Sequence, residues 1–140
     1  MFVYSRKAHY HETDQMGVIH HANYPKWMEE ARVAFLEEKG LSYRVMEEAG
    51  VVSPVVSLSI EYKRPARFDD EVEVQLEIAN YTGVRLEVSY TFFNRTRNEL
   101  CAAASSAHCF LREGCIVSLK KALPGVHEGL MSCLKEESAF

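Results

Sequence analysis

The hydrophobic period of this chain changes once, and that change leaves few folds open. After His21, the apolar residues Tyr24, Trp27, Met28, Ala31, Ala34 and Phe35 recur at helical steps, while Glu29, Glu30, Arg32, Glu37 and Glu38 fall mostly on the other side. This spacing predicts one amphipathic helix of about four turns. Asn23 or Tyr24 is its expected N-cap, Pro25 is tolerated in the first turn, and Gly40 is placed to end it as the C′ residue. A shorter helix is expected over 42–49, stopping near Gly50. From there the period is two. Val56, Leu58, Ile60 and Tyr62 alternate with polar residues, as do Val72, Val74, Leu76 and Ile78, and then Val84, Leu86, Val88, Tyr90 and Phe92. Three successive strands with one wet face each are expected. The connections around Asp69–Asp70 and Tyr81–Thr82–Gly83 are short enough for antiparallel neighbours.

Residues 2–10 read as a first strand, 100–111 as a further one, and the tail after Pro124 as a short helix. The stretch Ala102, Ala103, Ala104, Ser105, Ser106, Ala107 has almost no bulk, which lets a helix or another subunit approach closely. A length of 140 residues suits one domain, which buries roughly 70% of the surface its unfolded chain exposes, and no repeat or linker divides residues 1–140. The pattern is α+β: an antiparallel sheet of about five strands wrapped around one long central helix. A sheet with so little helix to cover it is expected to complete its burial against a second copy, as a homo-oligomer.

Sixteen Lys and Arg stand against twenty Asp and Glu, a net charge of -4, without the basic excess that binding to a phosphate backbone draws on. Nucleic acid is therefore not an expected partner. Residues 1–10 lack the apolar core of a signal peptide, and no run approaches the length of a membrane span, so a cytoplasmic protein is expected. Cys101, Cys109, Cys115 and Cys133 contain no C-x-x-C pair and read as free thiols.

The sequence lacks the nucleophile elbow G-x-S-x-G, the phosphate loop G-x-x-x-x-G-K-[ST], G-x-G-x-x-G and H-E-x-x-H. What remains is a dense polar segment from Tyr10 to Tyr24, leading into the long helix. The first N–H groups of a helix and its dipole favour a developing oxyanion. Asp14 lies shortly before that helix, with Gly17 beside it to permit a sharp turn. A carboxylate facing an oxyanion site is a minimal hydrolase; the same pattern also serves as ordinary turn and cap chemistry. His9, His11, His20 and His21 have no metal-ligand spacing and read as hydrogen-bonded or solvent-facing, so neither a metal nor a cofactor is expected. Trp27, Met28 and Phe35 are core residues first and acyl-pocket residues second.

Read in order, Y-x-E-T-D-x-x-G-V-I-x-H-A-N-Y from Tyr10 to Tyr24 resembles the signature of hotdog-fold acyl-CoA thioesterases, in the 4-hydroxybenzoyl-CoA thioesterase and YbgC-like branch. Pro65-Ala66-Arg67-Phe68-Asp69-Asp70 resembles the P-x-R-x-x-D turn of the same branch, and the likeness covers about residues 3–112. The resemblance implies a catalytic carboxylate at Asp14 and a backbone oxyanion donor at His21, with coenzyme A entering as part of the substrate. Gly17, Asn23 and Tyr24 are the expected substrate-binding positions of the first block. Lys63, Arg64 and Arg67 are the densest basic cluster, read either as contacts to coenzyme A phosphates or as a solvated strand end. His20 departs from the family, which commonly has an aromatic residue there, and Glu113-Gly114-Cys115-Ile116 departs from its usual turn.

The leading expectation is hydrolysis of a small or medium acyl-CoA, or possible service to an acyl carrier protein, by a homodimer or homotetramer. Two alternatives use the same fold: a binding module for acyl-CoA or acyl carrier protein without turnover, and a hydratase or dehydratase pairing His9, His11 or His20 with Glu12.

Overall fold

A computed structural model describes residues 1–138. In chain order its elements are β1 (Phe2–Lys7), α1 (Asn23–Glu38), α2 (Tyr43–Glu48), β2 (Val51–Val52), β3 (Val55–Tyr62), β4 (Glu71–Tyr81), β5 (Arg85–Asn94), β6 (Glu99–Cys109), β7 (Leu111–Arg112), β8 (Cys115–Ile116), α3 (Leu119–Ala122) and α4 (Pro124–Ser138). One antiparallel sheet runs in the order β1-β4-β5-β6-β3, and β2, β7 and β8 form a small second sheet. Glu113 and Gly114, both at positive φ, make the tight β7–β8 hairpin where the sequence departs from the family it resembles.

Alternation makes β4 and β5 what they are. Val72, Val74, Leu76 and Ile78 are buried on β4, as are Leu86, Val88, Tyr90 and Phe92 on β5, with their polar neighbours turned outward. A bulge between Ile78 and Asn80 shifts the phase by one residue and returns Tyr81 to the core. α1 packs on β1 and β4 with Trp27, Met28, Ala31 and Phe35 buried. Its C-terminus follows the expected Gly40 stop: Gly40, at φ +72, donates to the Glu37 carbonyl (3.1 Å) and Leu41 to the Leu36 carbonyl (2.8 Å), closing a Schellman turn. Ser42 caps α2 by accepting from the Val45 N–H (3.4 Å).

Three expectations change. β3 and β4 are not neighbours: β3 pairs with β6 at one edge, and β4 lies beside β1 near the other. Alternation assigns side chains to faces and carries no information on which strand sits alongside, so segment 63–70 crosses the fold instead of making a hairpin. β3 also lacks a buried face. Leu58, Ile60 and Tyr62 share rows with the core residues Val88, Tyr90 and Phe92, yet Leu58 and Tyr62 stay 45% and 50% exposed because α1 packs on β1 and β4, toward the opposite end of the same sheet face. The tail helix α4 is longer than expected, at 15 residues, and packs on β4 with Val126, Leu130 and Cys133 buried. No helix of the described residues is long and apolar enough to cross a membrane. All four cysteines are free thiols; Cys101 and Cys133 are buried.

Candidate active site

The loop between β1 and α1 is built around a turn at Asp14. Gly17, at φ +76, donates to the Asp14 carbonyl (3.0 Å), and the Asp14 N–H donates to Val18 (2.9 Å). The Met16 N–H donates to Asp14 Oδ1 (2.8 Å), an Asx turn that fixes the carboxylate's orientation. Oδ2 receives no hydrogen bond among the described residues. The Ile19 N–H donates to the Ala66 carbonyl (2.8 Å), which ties this loop to the crossing segment after β3.

Beyond Ile19 the chain turns into α1, and the His20–His21 peptide is held from one side. Its carbonyl accepts from the Asn23 N–H (3.0 Å) and Asn23 Nδ2 (3.3 Å). In a trans peptide the His21 N–H points the opposite way, and it finds no acceptor among the described residues. Ala22, not Asn23 or Tyr24, occupies the N-cap position, without a side-chain cap. The N–H groups that follow are taken, Ala22 by His20 Nδ1 (3.0 Å), Asn23 by the His20 carbonyl and Tyr24 by the His21 carbonyl, and Pro25 has none, which leaves the His21 N–H as the unbonded donor at the start of α1 among the described residues. Asn23 itself is turned inward, with Nδ2 also donating to the Glu12 carbonyl (2.8 Å), so it shapes the loop and does not face a ligand.

Two buried carboxylates brace this arrangement from behind. Glu12 takes both guanidinium nitrogens of Arg6 (3.0 Å each), Trp27 Nε1 (2.8 Å) and the His9 N–H (2.8 Å), while Arg6 lies over the Trp27 ring. Asp70 accepts from the Arg67 N–H (2.9 Å), Asn94 Nδ2 (2.8 Å) and Arg97 Nε (2.9 Å). Burial alone would push both carboxyls up. The hydrogen bonds, with Arg6 and Arg97 beside them, outweigh it and hold each below its ordinary value. A depressed native pKa contributes stability above the unfolded value, and this is lost as pH falls through the native one. Urea unfolding midpoints should therefore decline below about pH 4 as these two carboxyls are protonated, in addition to the decline that starts below about pH 6.5, where the unfolded chain protonates His108 while the buried ring stays neutral.

Asp14, His21, Tyr24, Lys63 and Arg64 come together around a cavity of about 260 Å³, whose other walls are Met16, Val18, Ile19, Tyr62 and Pro65. Gly17, Asn23 and Arg67 do not line it: Gly17 makes the turn, and Arg67 is exposed on the crossing segment. Lys63 Nζ is paired with Glu61 (2.9 Å) and Arg64 Nε with Glu99 (4.0 Å), both near the surface. Tyr62 escaped the sequence reading because its place in an alternating strand marked it as core. Its hydroxyl donates to the His21 carbonyl (3.1 Å). Trp27, Met28 and Phe35 are core and do not reach this cavity.

A larger cavity, about 570 Å³, lies among Glu29, Arg32, Tyr43 and Val51–Val55, and contains none of the motif's loop residues. Beneath it Arg32 Nη1 donates to the Tyr90 hydroxyl (3.0 Å), Tyr90 bonds Ser106 (2.6 Å) and Ser106 bonds His108 Nε2 (2.8 Å). Burial, with Arg32 nearby, pushes His108 down to about 4, so its ring is neutral in this hydrogen-bonded chain at pH 7. The hydratase pairing finds no support in this geometry, because Glu12 is committed to Arg6, Trp27 and His9. His9 and His11 face each other (3.3 Å) and His20 stacks on His21; no group of three metal-ligating side chains occurs among the described residues.

The model of the thioesterase-like superfamily matches residues 8–123. The putative acyl-CoA thioesterase YneP of Bacillus subtilis is 38% identical over 123 residues, covering 86% of this chain and 88% of its own. A putative esterase of Aquifex aeolicus is 36% identical over 120 residues, covering 86% and 92%. The crystal structure of a DHNA-CoA thioesterase from Staphylococcus aureus superposes with a TM-score of 0.90 at 31% identity, over 97% of this chain and 93% of that one.

Proposed function

We propose, because the chain belongs to the thioesterase-like superfamily and is a thioester hydrolase of the hotdog fold, that it cleaves acyl-CoA with Asp14 and the His21 N–H acting on one carbonyl. The observation that carries this reading is their convergence on one cavity: a carboxylate with a free oxygen and an unbonded N–H at a helix start. Charge developing on the thioester oxygen is taken up by His21 N–H and the dipole of α1. Asp14 either attacks the carbonyl carbon, giving a mixed anhydride that water then opens, or removes a proton from an attacking water. In both routes the C–S bond breaks, coenzyme A leaves as its thiolate, and the acyl group ends as a carboxylate.

Tyr24 and Tyr62 form apolar wall beside the reacting carbonyl, and Gly17 lets the Asp14 turn close. Lys63 and Arg64 lie at the same cavity and suit the phosphates of coenzyme A, or the phosphopantetheine of an acyl carrier protein. Arg67, exposed on the adjoining segment, supplies further positive charge outside the cavity. The four free thiols fit a cytoplasmic setting.

The working unit in this reading is a homo-oligomer. β3 is an eight-residue edge strand with Val55, Val56, Leu58 and Tyr62 about half exposed, a surface that soluble monomers avoid. A second copy pairing along β3 covers it and closes the mouth formed by Tyr62, Lys63 and Arg64. The test is thiol release across a panel of acyl-CoAs differing in chain length and ring content. Turnover of at least one small or medium thioester, at a kcat of about 1 per second or more, is expected. Tight binding of the whole panel with no thiol release would replace the enzyme by a binding module.

A further inference from the structure

We propose that Tyr62 is a positioning residue for the hydrolysis, holding residue 21 so that its N–H faces the thioester carbonyl. The inference rests on the reading of His21 as the oxyanion donor. Residue 21 sits between two peptide planes. The plane before it, His20–His21, is held by Asn23 through the His20 carbonyl. The plane after it, His21–Ala22, offers its carbonyl to the Tyr24 N–H (3.3 Å) and to the Tyr62 hydroxyl (3.1 Å). Asn23 and Tyr24 belong to the helix start itself and move with it. Tyr62 comes from β3, 41 residues on, and clamps the backbone of residue 21 itself to the sheet.

The ring is held as firmly as its hydroxyl. It stands edge-on to Tyr24 (5.2 Å, 86°) and edge-on to His21 (6.3 Å, 82°), and its backbone pairs with Ala102 of β6. The small side chain at Ala102, in the same row, leaves room for the edge-on pair of tyrosines over the sheet. Tyr62 is 50% exposed, so water can replace its hydroxyl as a partner of the His21 carbonyl at little cost in folding. Catalysis is less tolerant. A donor displaced by a fraction of an ångström from a developing oxyanion loses much of its effect, and a displacement near 1 Å can cost on the order of 10²-fold.

Tyr62 also ends the edge strand. A second copy pairing along β3 steadies the residue that steadies His21, which links assembly to turnover through one side chain.

The experiment compares Tyr62→Phe with the wild type on the best thioester of the panel. The phenyl ring keeps the edge-on ring contacts and loses the hydroxyl. We expect kcat to fall about tenfold, while KM and the affinity for a non-hydrolysable acyl-CoA thioether stay within about twofold. The backbone amide resonances of His21 and Ala22 should shift, and those of α4 should not. An unchanged kcat, or a raised KM at unchanged kcat, overturns the proposal, the latter making the Tyr62 hydroxyl a substrate contact instead of a clamp on His21. Unmoved His21 and Ala22 resonances overturn it whatever the activity. A wild type that releases no thiol brings down the functional reading instead, and the amide shifts still decide whether the clamp exists.

Discussion

Asp14→Asn should lower thiol release by about 10³-fold or more while the protein folds and binds as before. The case for a clean loss of chemistry is geometric. Asp14 Oδ1 accepts from the Met16 N–H at 2.8 Å, and an asparagine carbonyl oxygen accepts the same bond, so the Asx turn survives the substitution. The turn is further secured by main-chain bonds from Gly17 to Asp14 (3.0 Å) and from Asp14 to Val18 (2.9 Å) that no side chain affects. What the amide lacks is the charge and basicity that both routes require. Steady-state kinetics, with the thermal midpoint and the affinity for an acyl-CoA thioether measured on the same variant, check this. Wild-type kcat in Asp14→Asn would remove Asp14 from the reaction.

A charge on the edge of β3 should lower activity to a smaller extent, by another path. Leu58 shares a row with Val88 and Ser106 on the core side of the sheet but is 45% exposed, so in an assembled protein an aspartate there places a carboxylate against an apolar neighbour. Leu58→Asp is expected to sediment as a monomer where the wild type sediments as a dimer or larger. Its kcat/KM should fall by about tenfold or more, since Tyr62 at the end of the same strand loses its support. The monomer should stay folded, because its buried core lies under α1 and α4 and not under β3. A wild type that sediments as a monomer at working concentration would contradict the assembly directly.

Periodicity made some elements legible and hid others for physical reasons. α1, β4 and β5 could be read because each buries one face, and a buried face imposes its repeat on the sequence. β3 has the same repeat with no burial behind it within one chain, so the alternation was read correctly as a strand and wrongly as a covered one. Strand order left no trace, since Val72 to Ile78 would alternate identically beside any partner. α4 looked short because its buried residues Val126, Leu130 and Cys133 are few and interspersed with Gly125 and Gly129. In the site, Asp14 and His21 stand out in the sequence through the order of residues around them, and the fold places both at one cavity. Glu12 was noticed as a possible acid, whereas Arg6 and Trp27, far apart in sequence, make it a buried brace. Asn23 is polar at a helix start and so looked like a cap or a ligand contact, and its inward turn depends on the fold of residues 12–20.

The central claim is that one thioester carbonyl sits between Asp14 and the His21 N–H. A crystal structure of Asp14→Asn, with a thioester it no longer turns over, tests that most directly. The account predicts the carbonyl oxygen at about 2.7–3.1 Å from the His21 nitrogen and the carbonyl carbon facing the side chain at position 14. A thioester seated in the cavity lined by Arg32 and Tyr43, with its carbonyl away from His21, would contradict it.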